Sequence, residues 1–124
     1  MKASPNSPGL TIEHRDGYLY ACLSSQQLDR TMACDYLAEI LLECARKRCK
    51  RLLLARHPPR LMDEADVFKT MGDVVRMNSG TKIAFLNEHL PISEALPYIA
   101  AIGHGDEFKF FTDAEQAKAW LLQR

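Results

Sequence analysis

The sequence predicts a single α/β domain in which an N-terminal β-hairpin leads into a mostly parallel mixed sheet with packed helices, in the order β-β-α-β-α-β-α-β-α. Three observations carry this reading. Two alternating apolar runs, "LTIEHR" and "YLYACLS", flank Asp16-Gly17, a pair favoured in tight hairpin turns because both central residues need positive φ. Two short runs, "RLLLA" and "TKIAFLN", are apolar almost throughout, as expected of parallel strands covered on both faces. Between the strands lie stretches whose apolar residues recur at helical spacing.

Taken in order, "MKASPNSPG" (residues 1–9) is rich in Pro, Ser and Asn and offers little to bury, so a disordered lead is expected, with the domain over 10–124. It has no apolar h-region, so a secretory signal is not expected. In the second hairpin strand Leu19, Ala21 and Leu23 face one way, and Tyr18, Tyr20 and Cys22 the other. Ser24 and Ser25 offer N-caps for a long helix through Cys49, whose stripe is Ala33, Leu37, Ile40 and Cys44 with Tyr36 and Leu41 beside it. After "RLLLA" a second helix starts at the N-cap Asp63, with Asp66 three residues on, and turns Val67, Phe68, Met71, Val74 and Val75 inward. "PISEALPYIAAIG" is helical with a break expected at Pro97 and a stop at Gly103. "EFKFF" is the last strand. "TDAEQAKAWLLQR" closes the chain as a helix under a capping box of Thr112 and Glu115.

Composition narrows the function classes. The 124 residues suffice for one core, and 16 basic against 16 acidic residues give zero formal charge. No global field therefore draws in nucleic acid, and none is expected as a partner. The most apolar window, "YLAEILLECA", carries Glu39 and Glu43, so no membrane span is expected. Cys22, Cys34, Cys44 and Cys49 have no zinc-ribbon spacing. Cys34 and Cys44 lie about 15 Å apart along one helix and cannot bridge. Free thiols in a reducing cytoplasm are the expectation.

Several segments of this chain together resemble the STAS or SpoIIAA-like domains, small bacterial domains related to anti-sigma-factor antagonists. They are "IEHRDGYLYACLS", "AEILLECARKRCKRLLLA", "TKIAFLN" and "FKFFTDAEQAKAWL", which cover most of the chain in the family's order. The resemblance implies a SpoIIAA-like fold and a non-enzymatic, regulatory domain acting by contact with a protein partner. Some related folds hold nucleotide or lipid. The family's phosphorylated Ser or Thr would stand just after "RLLLA", at the amino end of the next helix. That place reads "ARHPPRLMDEAD", with no hydroxyl, and Thr70 lies too far into the helix. The phospho-switch role is therefore not carried over.

Candidate site residues gather where the two apolar strands end. In open parallel sheets ligands sit at the carboxyl ends of the strands. Arg56, His57, Arg60, Asp63 and Glu64 follow the first of these strands, Asn87, Glu88 and His89 follow the second, and Phe68 joins them if exposed. Convergence of His57 and His89 could ligate a divalent ion, but nothing in the spacing demands one; exposed loop histidines beside prolines account for both. No metal or cofactor is expected. "RKRCKR" (46–51) places five cations in six positions; at a helix end they complement the macrodipole, with a phosphate or anionic-lipid contact as the alternative and Cys49 a candidate oxidation site. Tyr18, Tyr20, Phe108, Phe110 and Trp120 read as core rather than as a pocket lining, and Met32, Met62, Met71 and Met77 as core rather than a groove. No phosphate loop, dinucleotide fingerprint or nucleophile elbow is present, so an enzyme is not expected.

The reading is a cytoplasmic interaction domain with an unidentified protein partner, a homodimer being one form. The alternative is a sensor holding a small apolar or nucleotide ligand in a cavity lined by Tyr and Met. A third reading is an enzyme working at a His57/His89 edge.

Overall fold

The computed structural model describes residues 2–3, 9–24, 28–57, 64–78, 80–88, 90–102 and 106–123. The elements are β1 (Lys2–Ala3), β2 (Leu10–Arg15), β3 (Tyr18–Leu23), α1 (Arg30–Arg46), β4 (Arg51–Arg56), α2 (Glu64–Met77), β5 (Lys82–Leu86), α3 (Ile92–Ile102), β6 (Phe108–Phe111) and α4 (Ala114–Leu121). They form one sheet in the order β1-β2-β3-β4-β5-β6. The pairs β1–β2 and β2–β3 are antiparallel; β3–β4, β4–β5 and β5–β6 are parallel. The predicted α/β order is thus observed, with one short strand added at the front.

The spatial order follows the chain order, so each helical crossover steps one strand in the same direction. With a constant hand of crossover, α1, α2 and α3 must then lie on one face. The burial pattern agrees. Leu19, Ala21, Leu23, Leu52, Leu54 and Ile83 point to that face and pack with Tyr36, Leu37, Ile40 and Cys44 of α1 and Met71 and Val74 of α2. Tyr18, Leu53, Ala55, Ala84, Leu86 and Phe111 point the other way and pack on Ala117 and Leu121 of α4. One helix covers that second face, which explains why its edge is finished by longer side chains. Trp120 packs on Phe111 with ring centroids 5.6 Å apart, and Lys82 donates to the Trp120 carbonyl at 2.7 Å.

Several local expectations are corrected. Lys2–Ala3 pairs with Ile12 and Thr11, so this part of the predicted disordered lead adds to the open edge of β2, whose backbone groups would otherwise be unpaired. In the hairpin only Gly17 takes a positive φ, at +88°, and Asp16 does not; the turn needs one left-handed residue. Ser24 does not cap α1. Its N–H and hydroxyl both donate to the Gly9 carbonyl, extending the hairpin. The N-cap is Asp29, whose carboxylate accepts from the Met32 N–H at 2.9 Å; Ser25 lies outside the described residues.

At the other end α1 stops at Arg46, short of Cys49. Arg48 adopts φ 51°, and the Arg48 and Cys49 N–H groups donate back to the Ala45 and Cys44 carbonyls, the paired bonds of a Schellman stop. α3 runs unbroken from Ile92 to Ile102, through Pro97. A proline removes one backbone bond there, and the packing of α3 on α2 and β6 holds the remainder together. α4 is capped by Asp113, which accepts from the Glu115 and Gln116 N–H groups at 2.8 and 3.2 Å, in place of the Thr112 box. A carboxylate one residue nearer the first turn reaches both donors at once. Asp63 and Gly103 lie outside the described residues.

Candidate functional site

Because β4 and β5 are in register through Ala55–Leu86, the next residues of each strand, Arg56 and Asn87, stand side by side at the carboxyl end of the sheet. Alternation puts both on the three-helix face: Leu52, Leu54 and Arg56 along one strand, Ile83, Phe85 and Asn87 along the other. Above them a cavity of about 100 Å³ opens between the sheet and the helices. Its floor is Leu23, Leu54, Phe85 and Phe110, and its roof is Ala33 and Leu37 of α1 with Val67, Thr70 and Met71 of α2. Ile102 of α3 closes one side.

Asn87 lies at the polar end of this cavity. Its backbone N–H donates to the Phe111 carbonyl at 3.0 Å, which fixes the residue at the sheet end. Its side chain is 1% exposed, and neither Oδ1 nor Nδ2 has a hydrogen-bond partner. Leaving a buried amide unpaired costs roughly 1–3 kcal/mol, so this residue departs from what folding alone selects. Sequence reasoning grouped Asn87 with the polar strand-end residues; the alternation of β5, carried one residue further, turns it inward.

Arg56 is half-buried, and its guanidinium donates to the Leu23 carbonyl at 3.2 Å. Burial lowers its pKa from the usual 12.5, an environment that still leaves it cationic at neutral pH. His57 and Glu88 are exposed, and the His57 N–H donates to the Leu23 carbonyl at 2.8 Å. Arg60, Asp63 and His89 lie outside the described residues, as does the side chain of Glu64. Among the described residues no group of three His, Cys, Asp or Glu side chains could hold a metal ion.

Phe68 and Val75 were expected to face inward. They are 53% and 62% exposed, because Val67, Thr70, Met71 and Val74 already fill the inner face of α2. Phe68, Gly72 and Val75 therefore form a stripe on the solvent side of α2, and Leu42 of α1 and Leu96 of α3, on the two helices packed against α2, are exposed as well. Tyr18 and Tyr20 pack in the core on the α4 face, as expected, and do not line the cavity that the sensor reading calls for; burial raises the Tyr20 phenol to about 12. Of the four methionines Met71 lines the cavity and Met32 and Met77 pack at its core's margin; Met62 lies outside the described residues.

At the opposite end of the strands an open hollow of about 610 Å³ lies among Leu41, Leu42, Arg48, Cys49, Lys50 and Met77. The Cys49 thiol donates there to the Arg51 carbonyl at 3.2 Å. All four cysteines are free, and burial pushes the Cys44 thiol up to about 12.

Further along α2, Asp73 is 5% exposed and receives two hydrogen bonds from Arg30, Nε at 3.0 Å and Nη2 at 3.1 Å. Arg76 also pairs with it. The Arg30 bonds hold the Asp73 carboxyl below its usual 3.8. This clamp ties the start of α1 to the middle of α2 and so fixes the roof of the cavity.

Comparison with known proteins supports the fold. A solved structure of a serine-to-glutamate variant of RsbS from Moorella thermoacetica, a STAS-domain protein, superimposes with a TM-score of 0.62 at 15% identity, covering 90% of this chain and 93% of that one. No family model matches the sequence, and no curated protein matches it either. The STAS/SpoIIAA-like resemblance is thus upheld as a fold: a single α/β domain built on the RsbS plan. Among the described residues no helix is long and apolar enough to cross a membrane.

Proposed function

We propose that the chain is a non-catalytic, regulatory protein–protein interaction domain of the STAS/SpoIIAA-like type, working in the cytoplasm and without a Ser/Thr phospho-switch. The observation that carries the docking role is the solvent-facing apolar stripe of Phe68 and Val75 on α2, with Leu42 and Leu96 exposed on the neighbouring helices α1 and α3. Large apolar side chains exposed together mark interaction sites more often than singly exposed ones do. The helix that carries the stripe follows the strand that carries Arg56 and His57, and we read the stripe and the strand-end edge as parts of one docking surface. Arg56, His57, Arg60, Asp63, Glu64, Glu88 and His89 would supply its polar part.

The absence of a phospho-switch is supported by the position of Thr70. It is the first hydroxyl to follow β4 in the sequence, and it is 5% exposed on the inner side of α2. A phosphate of charge about −1.5 to −2 could not be accommodated there without unseating the helix.

The experiment compares wild-type protein with a Phe68→Ser/Val75→Ser variant as immobilised bait, with bound proteins quantified by mass spectrometry. Circular dichroism confirms that both baits are folded. A specific protein retained by wild type and lost by the variant supports the reading; identical retained sets refute it. Light scattering after gel filtration detects the case in which the partner is a second copy. Substituting His57, Arg60 and Asp63 together tests the strand-end half of the surface in the same assay.

A further inference from the structure

Cys44 and Cys49 stand on the two sides of the stop that ends α1. In a Schellman stop the closing backbone bond brings the third residue from the helix end against the second residue beyond it, and those two side chains ordinarily make an apolar contact. Here the Cys49 N–H donates to the Cys44 carbonyl at 2.9 Å, and Arg48 supplies the left-handed residue at φ 51°. Both contact positions of this stop are therefore cysteines. The same bond limits their separation: with the covalent distances on either side of it, the two Cα atoms stand at most about 6.8 Å apart. A disulfide spans Cα atoms roughly 4.4–6.8 Å apart. The side chains also share one environment, since Cys49 packs against the core cluster that contains Cys44 and both line the open hollow at the amino ends of the strands. No other pairing of the four cysteines qualifies. Cys34 lies about 15 Å of helical rise from Cys44, and Cys22 packs on the α4 face, across the sheet from α1.

The two thiols differ in access. Cys44 is 2% exposed, and burial pushes its thiol up to about 12, so it is poorly suited to open a reaction. Cys49 is half-buried on the wall of the hollow. We propose that Cys44 and Cys49 form a peroxide-responsive dithiol site, in which Cys49 is oxidised first and Cys44 resolves it to an intramolecular disulfide across the end of α1. The Cys49 sulfur attacks one peroxide oxygen, the O–O bond breaks, and Cys49 becomes a sulfenic acid as the thiol proton leaves in water. The Cys44 sulfur then attacks the Cys49 sulfur, the S–O bond breaks, and the departing hydroxide takes the Cys44 proton as a second water. The two sulfurs together lose two electrons, and one peroxide is reduced to two waters. The Cys49 thiol, which donates to the Arg51 carbonyl at 3.2 Å in the reduced form, exchanges that bond for the S–S bond.

The site lies at the opposite end of the strands from Arg56 and His57, so its failure leaves the proposed function standing and the reverse also holds. The test uses reduced Cys22→Ser/Cys34→Ser protein, which keeps only this pair, treated with hydrogen peroxide and read by thiol alkylation, intact mass and tryptic mapping. The expected product is a monomer that has lost both free thiols and two hydrogen atoms, and that dithiothreitol restores. Trypsin cuts after Arg46, Lys47 and Arg48, between the two cysteines, so the disulfide holds together two peptides that separate on reduction. Cys44→Ser in the same background should instead leave Cys49 as a sulfenic acid that dimedone traps, and Cys49→Ser should keep its remaining thiol reduced. Circular dichroism confirms that the variants are folded. Mapping of the oxidised wild-type chain, with fragmentation between Cys34 and Cys44 to assign the link, covers the case in which the serine background does not fold. Unchanged thiols, a disulfide joining two chains, a Cys49 that runs on to sulfinic acid beside a free Cys44, or dimedone trapping undiminished by the presence of Cys44 would each overturn the assignment.

Discussion

Replacing Asn87 with leucine should make the protein more stable, against the usual direction of a core substitution. The side chain is 1% exposed with both polar atoms unpaired, and its surroundings are Leu54, Phe85, Met71 and Phe110. Removing an unsatisfied amide recovers roughly 1–3 kcal/mol. Leucine keeps the same branching but is the larger side chain, and its extra volume is taken up by the adjoining cavity, at a shape cost of up to about 1.5 kcal/mol. The backbone offers no obstacle, since Asn87 does not have a positive φ and its N–H bond to Phe111 is unaffected. An unfolding entropy of about 2.1 cal/mol/K per residue, over 124 residues, converts a net gain of up to about 3 kcal/mol to a rise in Tm of up to roughly 12 °C. Differential scanning calorimetry on dialysed protein reads this directly. A lower Tm for Asn87→Leu would mean that the amide is paired in solution, and the argument from its isolation would fail.

Two further outcomes follow from the packing of the helices. Asp73 is held below its usual pKa of 3.8 first by the Arg30 hydrogen bonds and also by the charge of Arg76. A depressed folded-state value contributes stability that is fully present above the unfolded value and is lost as pH falls through the folded one. Urea midpoints from about pH 6 to about pH 2 should therefore fall more steeply for wild type than for Asp73→Asn, which has no proton to take up; parallel curves would refute the clamp. At α4, Asp113→Ala should cost about 0.5–2 kcal/mol in denaturant unfolding while Thr112→Ala stays within about 0.5 kcal/mol, and equal losses would restore the Thr112 box.

The sheet was legible because its signals are local and redundant. Asp16-Gly17 marks the turn, alternation assigns Leu19, Ala21 and Leu23 to one face, and "RLLLA" can be buried on both sides only inside a sheet. Helix ends were harder, since a cap is chosen by competition. Ser24 has the chemistry of an N-cap, but the Gly9 carbonyl lies across the hairpin and takes its donors, leaving Asp29 to start α1. Nothing near Ser24 in the sequence announces a partner fifteen residues away. Asn87 and Arg56 were both named as strand-end candidates, but their direction was not read. The two-residue period through Ile83 and Phe85 reaches Asn87 as the next inward position, as the period through Leu52 and Leu54 reaches Arg56.

The same logic explains why α2 misled on Phe68 and Val75 yet is the most informative helix of the fold. "VFKTMGDVV" carries apolar residues on more of its circumference than one buried stripe needs. Val67, Met71 and Val74 satisfy the inner stripe and Thr70 joins them, so Phe68 and Val75 are left over. Helix propensity does not require them, as aromatic and β-branched residues are weak helix formers. Core packing does not use them either, because α1 and α3 already flank α2 on the sheet. An exposed Phe and Val that serve neither local structure nor the core lower solubility without stabilising the isolated chain. Burial against a partner, as proposed above, would give these two side chains a use, and that is the physical content of the docking proposal.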